Sequence, residues 1–135
     1  MNLNLNKTNL LACLALALPL CAAAAYPVQE TYRTAAKLEN PAFKDFSAAA
    51  GQKLYSTKVG ELACASCHTD SPLAAGKHVK TNKEILALAP AANPKRFTDV
   101  ANVEKWFKRN CNDVLTRACT AQEKGDFIAY VLSVK

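Results

Sequence analysis

Methionine is almost absent from these 135 residues, Met1 being the only one. Past the first position, therefore, no thioether is available as a metal ligand. Histidine is nearly as scarce, with only His68 and His78. No second Cys/His cluster with finger-like spacing accompanies the cysteines, which argues against a closed four-ligand zinc site. No apolar run is long enough for a confident transmembrane helix. Strand-like alternation and internal repeats are missing as well, so the expected class is all-α. Basic residues outnumber acidic ones by 17 to 11, but without a basic run, and nucleic acid is not an expected partner.

The first 25 residues read as a cleaved secretory signal peptide. Lys7 supplies the positive start, Leu10 to Leu20 is a Leu/Ala run, and Ala22 to Ala25 offers an A-x-A cleavage site. A lipoprotein reading is weaker: Cys13 has no apolar region before it, and Leu20 is the wrong residue before Cys21. Maturation at Ala25 or Tyr26 implies a periplasmic destination. It removes Lys7 and lowers the formal charge from +6 to +5. That excess can steer encounters with acidic partners, although solvated lysines need no special role.

Six cysteines become four on export: Cys64, Cys67, Cys111 and Cys119. The first two belong to Cys64-Ala65-Ser66-Cys67-His68. Two cysteines separated by two residues, followed directly by histidine, mark covalent c-type haem attachment. One helical turn brings both sulfurs under the same porphyrin edge, where each can add across one vinyl group. The adjacent imidazole is presented to the iron, making His68 the expected proximal ligand and one haem c the expected cofactor. A thioredoxin-like pair would need a βαβ setting that is missing here. In an oxidising compartment Cys111 and Cys119 are then left to pair with each other. The short loop they close is worth about 2–3 kcal/mol in the chain-entropy account.

The mature chain divides into an N-terminal helical segment, 26–50, and a haem domain, 51–135. Spacing and breakers predict a helix from Val28 to Leu38, ended by Asn40-Pro41. A second is predicted from Pro41 to about Thr57, with Phe43, Phe46, Ala50 and Leu54 on one face. Gly51 within it permits close approach by another helix or the cofactor. Residues 69–98 read as loop, with Lys83 to Ala89 as the one short helical piece. Asp99 is the expected N-cap of a helix striped by Val100, Val103, Trp106 and Phe107 and reaching Cys111. Thr120-Ala121-Gln122-Glu123 is a capping-box pattern opening the last helix.

With methionine gone, the far side of the iron is open to histidine, lysine, asparagine, water or nothing. His78 would have to wrap a ten-residue loop around the porphyrin, and a solvent- or propionate-edge position suits it better. Asn110 reads by itself as a helix-end residue. Trp106 reads as a propionate donor or as core. Arg96, Arg109 and Arg117 read as propionate partners or as solvated surface.

The run Asn93 to Asp99, then Val103-Glu104-Lys105-Trp106-Phe107, Arg109-Asn110-Cys111, Cys119-Thr120 and Glu123 to Asp126, resembles the sphaeroides haem protein (SHP) type of cytochrome c. With the haem motif the resemblance spans about residues 51–135. It implies a class-I-like cytochrome c fold around one haem, and it implies the Cys111–Cys119 disulfide independently of the cysteine count. It further implies that Asn110 is a weak distal ligand of oxidised iron. On reduction this ligand leaves and admits oxygen, nitric oxide or a similar diatomic. The redox partners implied are a dihaem cytochrome c or a membrane cytochrome b. Other readings are a six-coordinate electron carrier, a small haem oxidase or nitric oxide dioxygenase, and a haem-free thiol oxidoreductase. No His/Arg peroxidase-like pair is evident.

Overall fold

The computed structural model describes residues 26–135; the expected signal peptide lies outside the described residues. Five helices carry the architecture: α1 (Pro27–Glu39), α2 (Ala48–Ser56), the single turn α3 (Ala65–His68), α4 (Val100–Leu115) and α5 (Ala121–Ser133). Among the described residues, strand pairing is limited to an antiparallel pair of β1 (Gly76–Lys77) with β2 (Glu84–Ile85), two residues each, and an isolated bridge between Val59 and Leu62. Among the described residues no helix is long and apolar enough to cross a membrane.

Helix α2 lies across α5, and α1 packs on α5 and α4. Gly51 sits at the first crossing, where a Cβ would overlap the carbonyl of Asp126. The close neighbour it permits is therefore the backbone of α5. A methyl group there must push two helices apart, so Gly51→Ala is expected to lower stability by about 1–3 kcal/mol. Urea denaturation of the holoprotein would register this as a lower midpoint with an unchanged slope.

Aromatic rings fill the space between these helices. Tyr32 meets Phe107 edge-on at 5.7 Å, Phe107 meets Phe127 at 5.5 Å, and Tyr55 touches both Phe127 and Tyr130. Val28, Ile128 and Val131 are fully buried around them. The Tyr32 hydroxyl donates to Glu104 at 2.7 Å, and Lys124 pairs with the same carboxylate, joining α1, α4 and α5.

Three helix boundaries differ from expectation. Helix α2 begins at Ala48 rather than Pro41, because the preceding groups find partners elsewhere. The Asp45 carboxylate takes Arg33 and the Phe46 N–H, the Ser47 N–H donates to buried Asp126, and the Ser47 hydroxyl caps Ala50. The stretch from Lys83 to Ala89 is extended, not helical. Its first residues pair with β1, the N–H groups of Leu88 and Ala89 both donate to the Pro72 carbonyl, and Arg96 holds the carbonyls of Leu86 and Ala87. Helix α4 runs past Cys111 to Leu115 and ends on Thr116 in the left-handed conformation. The Asp99 N-cap and the Thr120/Glu123 capping box form as expected.

Candidate haem site

The haem motif is a tight turn. The His68 N–H donates to the Cys64 carbonyl at 3.1 Å, and the Ser66 hydroxyl accepts from the Ala63 N–H at 2.9 Å. Cys64 and Cys67 are both free thiols and half-buried, one turn apart and so on one side of the turn. Burial pushes the Cys64 thiol up to about 11. That is the reverse of a CxxC oxidoreductase, whose attacking thiol is made acidic.

His68 is half-buried, and burial first, then the charge of Arg96, push its pKa down to about 4. The imidazole is thus neutral at ordinary pH, the form that binds a metal. Tyr55, only 1 % exposed, reaches the end of the turn from α2. Its hydroxyl donates to the Thr69 carbonyl at 2.6 Å and lies 3.1 Å from that of His68. Thr69 itself adopts φ 63°, ψ 174°, a region almost reserved for glycine and tolerated only where the surroundings impose it. The Tyr55 bond and a local bond between the Thr69 hydroxyl and the Ser71 carbonyl impose it here. From the other side β1 presses on the motif. A Cβ on Gly76 would overlap the Cys67 carbonyl.

Neither Tyr55 nor Gly76 is singled out by sequence as a support of the motif. The nine-residue spacing from Tyr55 to Cys64 hints at proximity, but the bond itself depends on how α2 crosses α5.

On α4, Val103, Phe107, Cys111 and Leu115 are buried. Asn110 follows Phe107 by three residues and precedes Val114 by four, so it lies on this same apolar side. Nevertheless Asn110 is exposed. Its neighbours Arg109 and Asn112 pair with Asp113 and the Lys108 carbonyl, while the Asn110 amide has no partner among the described residues. Trp106, one turn earlier, is 44 % exposed, with the Arg109 guanidinium 5.7 Å over its ring. Neither the tryptophan nor Val100 belongs to the core. Immediately after Asn110, Cys111 is bonded to Cys119, with Cα atoms 5.7 Å apart.

The remaining candidates separate cleanly. The His78 Nδ1 accepts from the backbone N–H groups of Lys80 and Thr81, both at 3.3 Å. Its Nδ1 lone pair is thus engaged within its own loop. Arg117 forms a two-pronged pair with Glu123, and Arg109 leans toward Asp113. Arg96 alone of the three has only carbonyl partners among the described residues. It is the one suited to hold a further carboxylate.

Two free thiols one turn apart, a neutral imidazole, and an uncovered apolar strip containing Trp106 and Asn110 fit a covalently held porphyrin. A family profile described as a domain of unknown function (DUF1924) matches residues 41–131. Cytochrome c'' of Methylophilus methylotrophus is 43 % identical over 107 residues, 76 % of this chain and 74 % of that protein. The cytochrome c-type protein SHP of Cereibacter sphaeroides is 52 % identical over 68 residues, half of this chain and 52 % of that protein. The chain belongs to the SHP-type monohaem cytochrome c family.

The fold agrees with membership of this family of cytochromes. A solved structure of oxidised SHP, described as an oxygen-binding cytochrome c, superimposes with TM-score 0.67 at 38 % identity, covering 77 % of this chain and 91 % of that one. A solution structure of cytochrome c'', concerned with haem-ligand detachment, gives 0.70 at 41 %, covering 78 % and 90 %. The all-α cytochrome c fold expected from sequence is the one observed.

Proposed function

We propose that this chain is an exported, periplasmic cytochrome that accepts electrons and admits oxygen, nitric oxide or a similar diatomic beside Asn110. Cys64 and Cys67 would carry the covalent bonds to one haem c, and the His68 imidazole would bind its iron. When bound, the haem supplies an iron that alternates between ferric and ferrous states and can take a small molecule at its sixth position. The chain supplies one firm donor and one weak donor. The observation that carries the reading is Asn110: an exposed amide on the apolar side of α4, without a partner among the described residues and next to a disulfide-bonded cysteine.

The reason for ligand exchange is electrostatic. An amide oxygen is a neutral, hard donor, held better by ferric than by ferrous iron. Reduction removes one positive charge and much of the attraction. Asn110 would then be held less firmly, whereas His68, in one turn with both attachment cysteines, would stay. A thioether donor is missing from residues 26–135, and the Nδ1 of His78 is engaged within its own loop. That one relative is described as oxygen-binding and another through haem-ligand detachment supports the same reading. A dihaem cytochrome c or a membrane cytochrome b is the class of electron donor it calls for.

Optical spectra of the mature protein test this. The ferrous form is expected to bind carbon monoxide, and Asn110→Ala is expected to change the ferric spectrum while leaving the haem attached. A low-spin ferrous form indifferent to carbon monoxide would overturn the openable site. An unaltered ferric spectrum in Asn110→Ala would remove Asn110 as the ligand.

A further inference from the structure

The net charge of the described chain is confined to one stretch. Between residues 76 and 110, eight basic side chains meet three acidic ones. The flanking stretches balance, five against five in 26–75 and three against three in 111–135. Among the described residues, unpaired lysines occur in the flanks as well, at Lys37, Lys44, Lys53 and Lys58, but acidic residues match them in number there. Arg33, Arg117 and Lys124, outside the stretch, are neutralised by carboxylates. Lys77, Lys80, Lys83, Lys95, Lys105 and Lys108 are all exposed and form no ion pair among the described residues.

The hairpin also carries two of the six exposed large apolar side chains among the described residues, Val79 and Leu86. Val79, 44 % exposed, stands between Lys77 and Lys80 on the hairpin, and Leu86, 64 % exposed, directly follows β2. Scattered singly, such apolar residues are ordinary surface, and it is the uncompensated positive charge that marks this face. A membrane surface would call for a continuous apolar helix face, which the hairpin does not offer. Its position is fixed, too. Gly76 abuts the Cys67 carbonyl, and Arg96 clamps the segment just after β2.

We infer that the lysine-bearing hairpin of residues 76–86 is the docking face for an acidic electron-donating protein. The inference rests on the reading of the chain as an electron-accepting cytochrome and adds the surface and the charge of its partner. Docking there sets the donor beside the Cys67–His68 turn, against which Gly76 packs. Complementary charge raises the encounter rate and is screened by salt.

The test uses the haem-loaded protein and a reduced plant-type [2Fe–2S] ferredoxin as an acidic electron donor in stopped flow. Its rate of haem reduction is expected to fall about tenfold between low and physiological ionic strength. The triple variant Lys77→Glu, Lys80→Glu, Lys83→Glu is expected to be slower by about tenfold at low salt. The variant Lys37→Glu, Lys44→Glu, Lys53→Glu makes the same change in net charge within the balanced region and is expected to slow by less than about threefold. Neutralising the hairpin with Lys→Gln at the same three positions should give an intermediate rate and guards against a reversal variant that folds poorly.

Equal slowing in both reversal variants would reduce the effect to net charge and overturn the inference, as would unchanged rates in both hairpin variants. Loss of flotation with phosphatidylglycerol vesicles in the hairpin variants, with ferredoxin rates unaltered, would assign the face to a membrane and overturn it too. Absence of covalent haem in the starting protein would instead defeat the cytochrome reading itself.

Discussion

Changing both Cys64 and Cys67 to alanine is expected to abolish haem staining of the polypeptide on a denaturing gel. Only a covalent bond survives detergent and heat, so the readout is all or none. The reason for choosing these two cysteines is geometric. They are the free thiols of the chain's described part, they stand one helical turn apart, and His68 follows directly. Cys111 and Cys119 already share a bond and have no histidine beside them. The control Cys111→Ala, Cys119→Ala should therefore retain full haem staining. The reverse pattern, with staining lost only in the control, would transfer haem attachment to the second pair. A large loss of helical circular dichroism should accompany loss of the haem in the first variant. A chain of this size buries a limited core, and Trp106 on α4 remains uncovered by protein.

The second large effect concerns the disulfide. Removing it with Cys111→Ala, Cys119→Ala is expected to lower stability by about 2–3 kcal/mol, because a short loop in the unfolded chain is released. Cys111 is also buried against the core, so replacement by alanine adds a packing loss on top. The measurement is a urea melt of the holoprotein with and without the bond. A distinct spectroscopic consequence is expected as well. Asn110 is adjacent to Cys111 on α4, and the bond ties this part of the helix to the segment leading into α5. A weak donor competes with water only if its position is restrained. Releasing the restraint should therefore shift the ferric spectrum toward that of Asn110→Ala. A destabilised protein with a wholly unaltered ferric spectrum would separate the disulfide from ligation and leave it a purely stabilising role.

Much of this molecule follows from short-range chemistry. The haem motif is legible because its chemistry is contained in five consecutive residues. The Asp99 cap and the Thr120/Glu123 box are legible for the same reason: each is satisfied within one turn of helix. The Cys111–Cys119 pairing followed from the count left after haem attachment, and the structure forms that bond. Misreadings occurred where backbone groups find partners far along the chain. Asp126 claims the Ser47 N–H across 79 residues and holds back the start of α2. Pro72 and Arg96 together draw out the stretch that local propensity would coil.

The same division runs through the candidate site. By itself the sequence determined the Cys64-Ala65-Ser66-Cys67-His68 motif, the lack of methionine past the first position, and the helical class. Local spacing and composition suffice for these. Only the tertiary structure decided that Tyr55 braces the turn after His68, and that Gly76 admits the hairpin against Cys67. Only there do the backbone bonds of His78 and the exposure of Trp106 become visible. Asn110 stands between the two. Family resemblance marked it, but its exposure and its lack of a partner depend on which side of α4 the other helices cover. A side chain's neighbours are set by how helices cross, and no window of sequence contains a crossing.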